Sequence, residues 1–104
     1  MASKCLAQLS HLSTEYVHVG VQSSDGLNPN DIFADLAFTA KGVYPVSGDW
    51  KDALVTGSPG RLVLKVLVGP TGAVTLAPGP YDVWVRIDDT PEDLVREAGT
   101  ILIT

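Results

Sequence analysis

The clearest alternation of apolar and polar positions lies late in the chain. Tyr81, Val83, Val85 and Ile87 fall on one side, and Asp82, Trp84, Arg86 and Asp88 fall on the other. Side chains of a strand point alternately to its two faces, so this period of two predicts a strand with one buried face. A short acidic loop follows, and the closing residues 99–104, GTILIT, read as the hairpin partner. The same period recurs earlier. Val17, Val19 and Val21 oppose Tyr16, His18 and Gly20, while Ile32, Ala34, Leu36 and Phe38 share one face of the next strand. Asp35 is then outward, beside Phe33 and Ala37. Residues 61–68 are apolar on both sides, with Leu62, Leu64, Val66 and Val68 against Val63, Lys65 and Leu67. That predicts a central strand, or one whose outer face meets a partner. Residues 50–55 suit a short strand or a strap whose Trp50 plugs one end of the core, and residues 73–76 suit a short strand.

Turn chemistry separates these runs about every ten residues, through Ser-Asp-Gly, Ser-Pro-Gly, Gly-Pro-Thr-Gly and Pro-Gly-Pro segments. Six to seven short strands at this spacing predict an antiparallel sandwich or barrel. Leu76 and a Pro-Gly turn place Tyr81 just ahead of the penultimate strand. Immunoglobulin-like sandwiches hold a tyrosine corner there, its hydroxyl bonded back to backbone, so an all-β, immunoglobulin-like β-sandwich is the expected fold. Tyr81, Gly79 and Trp50 are its expected structural residues. Locally, Thr90, Pro91 and Asp93 carry helix-start signals, which predict one helical turn over 91–94 before a strand from about Val95. Residues 1–14 are set apart as a flexible or helical N-terminal arm, with Leu6, Leu9 and Leu12 at every third position, and residues 15–104 form the sandwich domain.

Composition sharpens this picture. A chain of 104 residues with 45% hydrophobic content makes one domain with a real core, and ten glycines with seven prolines favour many short elements. The formal net charge is −5, and the seven Lys and Arg are scattered, which argues against nucleic-acid binding. A single cysteine, Cys5, excludes an internal disulfide, and no run approaches a membrane span or a signal peptide. A soluble protein made in a reducing cytoplasm is expected, without membrane contact.

Candidate chemistry is sparse. Asp88, Asp89, Glu92 and Asp93 are the densest set of oxygens but lack the calcium-loop pattern, so they are expected to be solvated and no metal is assigned. His11, His18 and Cys5 match no zinc spacing, and no hydrolase elbow, phosphate loop or dinucleotide fingerprint occurs. Neither an enzyme nor a cofactor is expected. Trp84, outward between Asp82 and Arg86, is either covered by a neighbouring segment or an interface anchor, since tryptophan and arginine lead among hot-spot residues. Val63 and Leu102 would extend an apolar outer patch if their strands lie nearby, and Leu67 and Arg86 are further interface candidates. A different class of function, a carbohydrate- or ligand-binding module, would use Trp50 or Trp84 as a stacking platform.

The run VLVGPTGAVTLAPGPYDVWVR from Val66 to Arg86 and the closing AGTILIT from Ala98 resemble a known family, as do STEYVHV from Ser13, LAFT from Leu36 and SGDW from Ser47. These segments are similar to small virion structural proteins of tailed phages and prophages of actinobacteria. The likeness covers most of the chain beyond Ser13, and its motifs are turns and core positions. It implies a non-enzymatic subunit of the phage particle, made in the host cytoplasm. The head-to-tail connector or neck is the first position implied, with capsid decoration or tail-tip adaptor as alternatives. Its partners would be portal, connector, capsid or tail subunits, together with copies of itself in a ring or lattice.

Overall fold

The computed structural model describes residues 5–22, 26, 28–30, 32–89 and 92–104. Eight strands form: β1 (Cys5–Leu9), β2 (Glu15–Gln22), β3 (Phe33–Ala40), β4 (Trp50–Asp52), β5 (Leu54–Ser58), β6 (Arg61–Val68), β7 (Gly79–Asp89) and β8 (Glu92–Ile103). They build an all-β sandwich. One sheet has the order β1-β8-β7-β3-β4 and the other the order β2-β6-β5. Among the described residues every pairing between these strands is antiparallel except that of β1 with β8, which is parallel. Among the described residues no helix is long and apolar enough to cross a membrane.

The alternation read from the sequence sets the core. Val17, Val19, Leu62, Leu64, Val66 and Val68 of the smaller sheet are buried against Ala34, Leu36, Phe38, Val83, Val85 and Ile87 of the larger one. Strand β6 is central in its sheet, as its apolar character predicted, with β2 and β5 on either side. The turn into β7 is also as expected. The Tyr81 hydroxyl donates to the Ala77 carbonyl at 2.7 Å. Gly79 has φ +147°, a backbone region that L side chains rarely adopt, so glycine suits this corner. Tyr81→Phe keeps the ring and removes the bond. It is expected to lower the unfolding free energy by about 1 kcal/mol in urea titration.

Several expectations are corrected. The N-terminal arm is neither helical nor separate from Cys5 onward, because Cys5–Leu9 forms β1 on the outer edge of β8. Pairing there satisfies edge N–H and C=O groups that a detached arm would leave open. Leu9 is buried, whereas Leu12 is 77% exposed, so the three-residue leucine spacing makes no common stripe. His11 N and Nδ1 both donate to the Thr104 carbonyl, at 2.8 and 2.7 Å, which ties the segment down. No helical turn occupies residues 92–94. Strand β8 already begins at Glu92, pairing Glu92 with Asp89 and Leu94 with Ile87, so the ladder outcompetes the local helix signals; Thr90 and Pro91 lie outside the described residues. Residues 73–76 contribute one bridge, Val74 to Val68, rather than a strand. The stretch from Trp50 is two strands in different sheets, with the Ala53 N–H donating to the Ala34 carbonyl at the crossing. The described residues therefore form eight strands, above the six or seven expected.

Candidate functional site, the outer face of the larger sheet

Register places the outward side chains of β4, β3 and β7 in rows. Trp50, Ala37 and Trp84 are directly opposite one another across three strands, and Asp52, Asp35 and Arg86 form the next row. The small Ala37 is fully buried between its two tryptophan neighbours. Trp50 does not plug the end of the core. It sits on this outer face, half-buried, with the Arg86 guanidinium over its ring at 4.7 Å from the centroid. Arg86 is held in turn by Asp35, whose Oδ2 accepts from Nε at 3.0 Å and from Nη2 at 2.6 Å. Both partners are partly solvated, so the pair contributes about 0–1 kcal/mol and chiefly fixes the guanidinium over the indole.

Trp84 is covered from within the chain, one of the two readings open in the sequence. The β3–β4 connection folds back over the sheet and sets Tyr44 against Trp84, with ring centroids 5.2 Å apart. Two buried polar groups hold that loop. The Thr39 hydroxyl donates to the Val43 carbonyl at 2.6 Å and accepts from Trp84 Nε1 at 3.1 Å. The Asp82 carboxylate, also buried, accepts from the Gly42 N–H at 2.8 Å. Among the described residues every buried side-chain N or O atom has a partner. Removing the Thr39 hydroxyl leaves two groups unsatisfied. Thr39→Val is accordingly expected to cost about 1–2 kcal/mol and to speed hydrogen exchange of the Gly42 amide, measurable by NMR.

The loop that covers Trp84 exposes its own apolar surface. Tyr44 is 75% exposed and Val46 68%, with Val43 beside them half-open to solvent. This patch was not legible in the sequence, since residues 41–46 have no period and only the placement of Thr39 and Asp82 explains their path.

The remaining predicted interface residues do not join this face. Leu102 is on the same side of the same sheet but two rows from Trp84, beside Pro80 and Gln8. Val63 and Leu67 point outward from β6, on the opposite side of the sandwich, so they cannot extend a patch around Trp84. There Leu67 stands opposite Tyr16, whose ring lies 5.8 Å from Lys65 Nζ, and Val63 stands opposite Gly20. The cause is the sheet change between β6 and β7, which sends their outer faces in opposite directions.

Among the described residues no group of three or more His, Cys, Asp or Glu side chains is placed to hold a metal ion. The side chains of Asp89, Glu92 and Asp93 in the acidic loop lie outside the described residues. His18 is exposed on β2 with Tyr16 at 6.3 Å between ring centroids. An open cleft of about 590 Å³ lies between the edges of β2 and β8, lined by Val19, Val21, Ile87, Leu94 and Ala98 with Arg96 at its rim. Both indoles are already engaged by Arg86 and Tyr44, which makes them poor open platforms for a sugar ring. No family model, no curated protein and no solved structure matches the chain.

Proposed function

We propose that this chain is a non-enzymatic structural subunit of a tailed-phage virion, working at the head-to-tail connector through contacts with other subunits. The observation that carries the reading is the exposed apolar surface of an otherwise well-packed acidic domain. Phe33, Tyr44, Val46 and Leu54 are all more than half exposed, at 80%, 75%, 68% and 56%. Large apolar side chains left open around a satisfied core mark interaction surfaces. The segments quoted above from Val66 onward supply the virion context, by resemblance.

The sandwich is read as immunoglobulin-like. Strands β2, β6 and β5 would correspond to B, E and D of that fold, and β4, β3, β7 and β8 to C′, C, F and G. The Tyr81-to-Ala77 bond at the corner before β7 supports the same assignment.

The test is co-purification. Particles banded in a density gradient and washed in high salt are analysed by quantitative mass spectrometry. The expected result is this chain at a fixed, small copy number per particle. Its absence from washed particles would remove the virion reading.

A further inference from the structure

We propose that copies of this chain associate head to tail, the outer face of the smaller sheet on one copy docking against the outer face of the larger sheet on the next. The inference rests on the self-assembly reading above and specifies its geometry. Its basis is the uneven distribution of charge on a chain whose net charge is −5.

Among the described outward strand positions of the larger sheet, Asp35, Asp52, Asp82, Asp88 and Glu97 are acidic and Arg86 is basic. The smaller sheet has the opposite character. Its described outward positions include Arg61, Lys65 and His18 and no carboxylate. The two cations therefore lie together on one face, in a chain with more acids than bases. Each face also has apolar area to bury. Tyr44 and Val46 project beside the acidic face, while Leu54, Val63 and Leu67 accompany the basic one.

Charge selects among the three ways two copies could meet. Larger face on larger face sets carboxylate against carboxylate, and smaller on smaller sets Lys65 and Arg61 against themselves. Like-charge juxtaposition across an interface is strongly disfavoured, whereas the mixed pairing matches cation to anion. A contact between two different patches is heterologous. Repeated, it closes into a ring when the rotation allows, and otherwise runs on as a filament. Because the faces lie on opposite sides of one sandwich, each copy can engage two neighbours at once.

Two variants test this, each altering one exposed face and leaving the core alone. The first, Arg61→Glu with Lys65→Glu, reverses the smaller face. The second, Tyr44→Lys with Asp52→Lys, reverses part of the larger face. Circular dichroism first establishes that both remain folded, and sedimentation velocity then reads association. Wild type is expected to associate, more weakly as salt rises. Each variant alone should associate at least about tenfold more weakly, and an equimolar mixture should recover association because every intact face finds an intact partner.

A variant that still self-associates as wild type does, or a mixture that stays monomeric, would overturn the head-to-tail geometry. Wild type that is monomeric at every concentration would overturn self-association altogether. Neither result bears on whether the chain is present in particles, which the mass spectrometry decides separately. Should a double variant not fold, the single changes Lys65→Glu and Asp52→Lys replace it, with the same pattern expected at smaller amplitude.

Discussion

Leu36→Ala is expected to destabilise the protein by about 2–5 kcal/mol, the range for removing a large aliphatic side chain from a close-packed core. Leu36 is fully buried in β3, which lies between β7 and β4, and it points at the smaller sheet. Its loss removes contacts on both sides of the sandwich and leaves a cavity that strands fixed by their ladders cannot collapse to fill. Total stabilities of domains this size are about 5–15 kcal/mol, so the change consumes a large fraction of the whole. Urea unfolding followed by tryptophan fluorescence should show a lower midpoint with an unchanged slope. A loss below about 0.5 kcal/mol, the scale of a surface substitution, would mean that the side chain is not packed as described.

The second large effect is expected at Gly69, where β6 ends and the chain turns. This glycine is buried and has φ +144°. A Cβ added there would stand 2.3 Å from the Ser13 carbonyl oxygen and 2.5 Å from Thr14 Cα. Both obstacles are backbone, so no rotamer change relieves them. Strained φ and overpacking each cost about 1–3 kcal/mol, which puts Gly69→Ala at about 2–5 kcal/mol by thermal or urea unfolding. Gly48→Ala is the matched control. It meets open space within 4 Å, and its cost should stay near or below about 0.5 kcal/mol. Equal losses at both positions would contradict the close approach of residues 13–14 to Gly69.

Where side-chain period and turn chemistry are local, the sequence was legible. Val83, Val85 and Ile87 are buried as their alternation required, and the Tyr81 hydroxyl finds backbone four residues upstream. The outward positions of Trp84, Arg86 and Asp35 follow from the same period. What was not legible depends on partners distant in the chain. β1 pairs with a strand more than ninety residues away, as Leu9 opposite Ile103 shows, and nothing within residues 1–14 announces that pairing. Which sheet each strand joins is likewise a long-range property. For that reason Val63 and Leu102 could be read as outward from sequence and still be placed on one patch that the fold divides between two faces. At residues 92–94 the local signals pointed to helix, and the ladder with β7 overrode them.

The same division shapes the functional reading. One interface centred on Trp84 was expected; two faces of opposite charge character are present, and Trp84 is partly roofed by Tyr44. Contact with a neighbour would then be made by Tyr44 and Val46 first, with Trp84 and Thr39 setting the position of the loop that presents them. Thr39→Val is therefore expected to weaken subunit contacts on the acidic face without touching the partner directly.

Immunogold electron microscopy of particles from its source shows whether the proposed position, at the junction of phage head and tail, is where this chain resides. Gold confined to the single vertex where head meets tail is the expected result. Gold spread over the shell would contradict the connector position and make the protein a decoration, and particles that bind no gold would contradict the virion reading itself.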